Sequence, residues 1–289
     1  MARSDGARLR AHIEMLAVTL GERNLWRYAS LRKAADYISS TFESLGLRPE
    51  HQTYDVSRLP VDNTVAELAG GRSNEILVVG AHYDTVNNCP GANDNGTGVA
   101  AMLELARRFA GHPQARTVRF VAFANEEPPF FQTSQMGSLV YARAARARED
   151  RIIGMLSLET MGYYSDEPDS QHYPPPLDTW HPNTGNFIAF VSNLQSEPLL
   201  SQAHGAFRTG TAFPIEVAAA PETLAGIGWS DHWSFWETGY PALMVTDTAP
   251  FRYPWYHHPD DTIDKIDFNR MAEVVDGLEH VVRTIAGAR

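Results

Sequence analysis

Apolar residues recur along this chain in two rhythms. Helical spacing runs through Ala7 to Leu20, Leu31 to Leu45, Gly98 to Phe109, Gly137 to Arg148, Pro198 to Arg208 and Phe268 to Ala286. Gly46 after the second of these is a C-cap of the kind that ends helices in a left-handed residue. Between them lie short β-branched runs that read as buried strands: ILVVG from Ile76, TVRFVAFANEE from Thr117, RIIGMLSLE from Arg151, Asn186 to Val191, and PALMVTDT from Pro241. Pro49 to Val56 and Val61 to Leu68 predict an antiparallel pair at a sheet edge. Strands that alternate with helices pack as one mostly parallel mixed central sheet with helices on both faces, an α/β fold. Residues 1–289 read as a single domain, since no linker divides them.

Two features break the alternation. Ser165 to Gly185 is Pro-rich and polar, too long for a passive connector, and predicts a lid or a site wall. Gly80 to Gly98, GAHYDTVNNCPGANDNGTG, is a glycine-rich loop between a strand and a helix. It carries His82, Asp84 and Asp94 at the carboxyl end of the strand, where open α/β sheets form their sites. Asn87, Asn88, Asn93 and Gly96 are explained there by turn formation.

Further groups of metal-ligand type follow other strands: Glu126 and Glu127, then Glu159, then His257 or His258. If those strands are neighbours, imidazole and carboxylate donors converge on one point, a set that suits zinc first among the divalent cations. Cys89 is the single cysteine, so neither an internal disulfide nor a Cys-rich zinc site is available. It reads as a small loop residue.

Charge and length narrow the partners. A formal net charge of −11 argues against nucleic-acid binding, which needs a basic face. No apolar stretch reaches the ~20 residues of a membrane span. The first residues show no apolar signal-peptide region, so a cytoplasmic protein is expected. The acidic surface is compatible with a monomer or a dimer.

The motifs GERN, AHYDTV, PGANDNGTG, FANEE, MGSLVYA, SDHWSF and WYHHPDDTIDK occur in an order that resembles the M28 family of zinc aminopeptidases, which also includes the animal glutaminyl cyclases. The resemblance spans nearly the whole chain. It implies that Asp94 bridges two zinc ions, with His82 and Glu159 on one and Glu127 and His257 on the other. It implies Glu126 as general base and a cis peptide at Asp94–Asn95. In that family the last ligand follows a tyrosine, which selects His257 over His258. Asp84 would orient His82 through its other ring nitrogen. Asp231 would hydrogen-bond substrate or a site water, and His232 would be structural.

The resemblance has departures. Glu159 stands where the family usually has aspartate, which leaves both two ions and one ion open. EEPPFFQTSQMGS is longer and more apolar than the usual segment, so Phe130 and Phe131 are candidates for a pocket wall. Trp229, Trp233, Trp236 and Trp255 cluster in the late motifs and suggest an aromatic side-chain pocket.

The expectation is therefore a metal-dependent aminopeptidase acting on the N-terminal amide of a peptide or small aminoacyl amide with a free N-terminus. The alternatives are a glutaminyl cyclase-like aminoacyltransferase with one zinc, and a non-peptide amidase on the same site. A catalytically inactive binding domain is disfavoured by the intact Glu126, and an M20-type exopeptidase by the lack of a boundary for a lid domain.

Overall fold

The β-branched runs lie in the middle of one sheet. A computed structural model describes residues 2–287, and its described strands are β1 (Pro49–Val56), β2 (Leu59–Leu68), β3 (Arg72–His82), β4 (Arg116–Phe123), β5 (Arg151–Glu159), β6 (Ile188–Ser192), β7 (Ile215–Ala219) and β8 (Ala242–Thr246). Their spatial order is β1-β2-β4-β3-β5-β8-β6-β7. The β4-β3-β5-β8 centre is parallel, while β1-β2, β2-β4 and β8-β6 are antiparallel. The sheet is thus mixed with a parallel centre, as the alternation of elements predicts. β7, a half-buried edge strand, and the short helix α6 described below were not legible as elements in the sequence.

Strand alternation sends side chains to two cores. Leu77, Val79, Phe120, Leu156, Leu158, Phe190 and Val245 point to one face. That face is covered by α1 (Ala2–Ile13), α2 (Tyr28–Ser44), α3 (Gly96–Phe109), α5 (Glu197–Gly210) and α7 (Phe268–Gly287). Val78, Val121, Phe123, Met155, Val191 and Met244 point to the other. There the cover comes from α4 (Gly137–Ala147) and α6 (His232–Glu237), through Tyr141, Phe235 and Trp236. Fully burying each such side chain stabilises the fold by roughly 1.5–3 kcal/mol.

The asymmetry of this second layer shapes the site. α4 and α6 cover the sheet over its centre, and toward β6 and β7 the cover is irregular chain from the Pro-rich segment and from Ala225 to Trp229. A cleft runs between that chain and the sheet. Among the described residues no helix is long and apolar enough to cross a membrane.

Candidate metal centre

His82 is the last residue of β3 and Glu159 the last of β5. Both belong to the face of the sheet that carries Val78 and Met155, so alternation aims them at the same point beyond the strand ends. Glu126 and Glu127 follow β4 in a turn where Asn125 has φ 56°. Asp94 precedes α3, and the Asp94–Asn95 peptide is cis. Asn95 caps that helix, its side chain accepting from the Gly98 N–H and donating to the Leu158 carbonyl. Gly98 has no substitute here, because a Cβ would stand 2.2 Å from the Leu158 oxygen. His257 arrives from the loop after β8 with φ 57°, stacked on Tyr256 at 3.8 Å between ring centroids. Its neighbour His258 turns outward beside Asp260.

These donors form two sets that share one residue. His82 Nε2 lies 3.3 Å from Asp94 Oδ1 and 3.2 Å from Glu159 Oε2. His257 Nε2 lies 3.2 Å from Asp94 Oδ2 and 3.1 Å from Glu127 Oε2. Ligands at ~2.0–2.1 Å from a tetrahedral cation stand about 3.3 Å from one another, so both sets have the edge lengths of a zinc site. His82, Asp94 and Glu127 also offer atoms within 4.8 Å of one another. Glu126 Oε2 stands 3.9 Å from His82 Nε2.

The electrostatics also call for a cation. Asp84, Asp94, Glu126, Glu127, Glu159 and Asp231 are all buried, and among the described residues none is ion-paired to a lysine or arginine. Burying uncompensated carboxylates is costly, and the protein responds by shifting their protonation. Burial pushes Glu127 up to about 8, with Asp94 adding to it. Burial raises Glu126 well above the usual range, with Glu159 and Glu127 reinforcing the effect, and it raises Glu159 as well. Asp94 goes the other way: its burial is outweighed by His257 and His82, which hold it low. The histidines mirror this. Burial opposes their charging, yet Glu159 and Glu126 raise His82, and Asp94 and Glu127 raise His257 to about 10. Neither ring nitrogen of His82, nor Glu127 Oε1, makes a hydrogen bond within the protein, although all three atoms are buried. A cation among these donors would satisfy His82 Nε2 and offset the excess negative charge.

Supporting residues fix this geometry. Asp84 accepts the N–H of Glu126 and of Glu127, each at 3.1 Å, and its Oδ1 lies 3.5 Å from His82 Nδ1. One carboxylate thus ties β3 to the glutamate pair. Ser230 donates to Glu159 at 2.7 Å. Asp231 sits buried beside the cluster, its carboxyl pushed up to about 7 by burial and by Glu159 and Asp84. Cys89 is buried, and burial raises its thiol, which agrees with a packing role.

Asp261 and Arg23, which the sequence did not flag, and Asn93, read there as a turn residue, complete the frame. Asp261 accepts the N–H groups of Asn93 and Asp94 and the Tyr253 hydroxyl. Asn93, beyond its turn, donates to Asp247 and accepts from Gly162. Arg23, fully buried, donates to the carbonyls of Leu16, Gly21, Tyr83, Pro90 and Gly91, clamping both arms of the Asp94 loop. The GERN motif was the only signal for Arg23, and the DD pair of WYHHPDDTIDK the only one for Asp261.

His232 is structural, as expected. Its Nε2 donates to the Ile227 carbonyl at 2.7 Å and its ring meets Trp236 edge-on. Burial lowers it to about 4. The unfolded chain protonates near 6.5, so its contribution is fully present above that pH and is lost as pH falls toward 4. In zinc-free protein, chemical denaturation at pH 7 and pH 4.5 should show His232→Asn losing roughly 2–3 kcal/mol less than wild type over that interval. Equal losses in the two proteins would contradict the assignment.

A mixed α/β sheet with a parallel centre, donors gathered at its strand ends and a carboxylate that faces two histidines is the arrangement of a metallohydrolase centre. Residues 63–282 match Peptidase family M28, and the chain belongs to that family of zinc-dependent hydrolases. It is 37% identical to the uncharacterized protein YfbL of Escherichia coli K12, over 92% of this chain and 84% of that one. It is 26% identical to leupeptin-inactivating enzyme 1 of Streptomyces exfoliatus, over 96% of this chain and 61% of that one. In fold it is similar to BSAP, a zinc aminopeptidase from Bacillus subtilis, with a TM-score of 0.79 at 16% identity, covering 98% and 96% of the two chains. It is also similar to the Fimbriiglobus ruber glutaminyl cyclase, with a TM-score of 0.69 at 22% identity, covering 96% and 95%.

Proposed function

We propose that this protein is a zinc-dependent aminopeptidase. His82, Glu159 and Asp94 would hold one cation, and His257, Glu127 and Asp94 would hold a second. The observation that carries the reading is that the two oxygens of Asp94 face different histidines at 3.3 and 3.2 Å. When bound, divalent cations polarise the scissile carbonyl and acidify water at neutral pH.

The chain's own residues do the rest. Glu126 faces the cleft beside both donor sets and has no ligand to share, which suits it to take the proton of the attacking water. As the water oxygen bonds to the carbonyl carbon and the C–N bond breaks, the same carboxyl returns a proton to the leaving amine. Asp84 keeps Glu126 and Glu127 in place through their backbone N–H groups. The surplus of buried carboxylate favours a substrate that brings its own cation, an α-ammonium. Trp229 and Tyr256 line both the cleft over the sheet and a second cleft beside Glu126, Glu127, Phe131 and His257. Together they separate the place of the N-terminal residue from that of the leaving group.

The fold likeness to a glutaminyl cyclase, with Asp231 buried beside the cluster, supports a second reading, cyclisation of N-terminal glutamine with release of ammonia. One experiment separates the two. Zinc-loaded protein is given leucine 4-nitroanilide, its N-acetyl derivative and a glutaminyl peptide. The aminopeptidase reading predicts hydrolysis of the free amine alone. Cleavage of the acetylated compound contradicts it in favour of a broader amidase, and ammonia release from the glutaminyl peptide without anilide cleavage supports the cyclase.

A further inference from the structure

The cleft over the sheet has a charged far end that the catalytic centre does not use. Its floor is set by strand register. Glu159 pairs with Thr246, Thr246 with Ala189, and Ala189 with Glu216, so these four share one row and one face. Neighbouring strands stand ~4.8 Å apart, which places Glu216 about 14 Å along the row from Glu159. The next row, Met244, Val191 and Ala218, is apolar. Small side chains at 189 and 218 keep the floor low, and Tyr173, Leu177 and Phe251 form the wall above it. The cleft has a volume of about 80 Å³ and is open to solvent on one side.

At the far end, Glu216 accepts a hydrogen bond from His181 Nδ1 through Oε2 at 2.9 Å. Its other oxygen has no partner among the described residues, and the side chain is about one third exposed. No lysine or arginine lines the cleft among the described residues. Arg252, behind the wall, donates to Gln171 Oε1 and the Phe187 carbonyl and leaves only Nη2 without a partner among the described residues. The cleft therefore offers an apolar channel, an aromatic wall and a terminal carboxylate. That combination fits a side chain with a long aliphatic stem and a cationic head. An extended lysine stem is about 6 Å long and carries its ammonium along the row toward Glu216, whereas leucine ends well before the charged end.

We propose that this cleft takes the side chain of the substrate's N-terminal residue and that Glu216 selects lysine or arginine there, a specificity that rests on the aminopeptidase reading above. The test is kcat/KM of the zinc-loaded enzyme on lysine, arginine and leucine 4-nitroanilides, for wild type, Glu216→Gln and Glu216→Leu. Wild type should prefer the cationic substrates. Both variants should lose about tenfold on lysine and arginine, the scale of one charge-assisted hydrogen bond, and keep leucine cleavage within about twofold. Unchanged leucine cleavage also reports that the variants fold. A lysine-to-leucine ratio that is the same in all three proteins overturns the proposal and leaves the aminopeptidase reading intact. A uniform loss on all three substrates also overturns it. No cleavage of any free-amine anilide by wild type overturns both.

Discussion

Replacing Glu126 by glutamine should lower kcat by about 10²–10⁴-fold, the usual contribution of a general acid–base group. Zinc content should not change. The two expectations separate Glu126 from its neighbour Glu127. Glu126 Oε2 stands 3.9 Å from His82 Nε2, beyond the 3.1–3.3 Å spacing within each donor set, whereas Glu127 Oε2 stands at 3.1 Å from His257. Glutamine keeps the size of the side chain and the backbone N–H that Asp84 accepts. What it removes is the ability to take and return a proton. In the metal-free protein, burial and the neighbouring carboxylates hold Glu126 well above the ordinary glutamate range. Cations beside it would reverse that field and leave Glu126 as the carboxylate a base requires. Single-turnover kinetics with zinc analysis on the same sample makes the check. Activity within tenfold of wild type, with zinc intact, would remove Glu126 from the chemistry.

Asp94→Asn should have a comparable effect by another route. Asparagine offers one carbonyl oxygen and no charge, so it cannot serve both histidine sets. The variant should bind fewer zinc ions than wild type and lose about a thousandfold in kcat/KM, equivalent to ~4 kcal/mol of transition-state stabilisation. The fold should survive, because Asp261 holds this loop through backbone N–H groups and Arg23 holds it through carbonyls. Circular dichroism and zinc analysis on the variant test both parts. Full zinc occupancy with full activity would show that Asp94 is not shared.

The parts of the centre that could be read in the sequence are those carried by strand ends. β3, β5 and β8 are β-branched runs, and a chemistry-bearing residue at the end of such a run is placed by the sheet itself. His82 and Glu159 meet for that reason, and Asp94, Glu127 and His257 join them from the loops that follow β3, β4 and β8. Local pattern did not separate His257 from His258; the tyrosine before the pair did so through the family resemblance, and the structure turns His258 outward.

What was not legible depends on burial across long sequence separations. Asp260 and Asp261 are identical in the sequence, yet only Asp261 is buried under the Asp94 loop. Arg23 looks like any surface arginine until five carbonyls from separate segments converge on it. β7 is five residues long and half-buried throughout, and in IEVAA a glutamate and two alanines leave only Ile215 and Val217 as β-branched residues, so it lacks the continuous β-branched run of a central strand. Without β7 the row from Glu159 to Glu216 could not be drawn, and neither could the cleft. The tryptophan cluster was a partial signal. Trp229 lines the cleft, but Trp236 donates to the Ala242 carbonyl within the core, and Trp255 packs on Tyr163 and Tyr253.

The central claim is that one buried aspartate joins two cation sites. Zinc stoichiometry tests it most directly: protein equilibrated by dialysis against buffered zinc, then measured by elemental mass spectrometry against quantified protein. The arrangement of His82, His257 and the two oxygens of Asp94 predicts two zinc ions per chain. A single ion at saturation would contradict the shared carboxylate and move the centre to a one-zinc chemistry of the cyclase type.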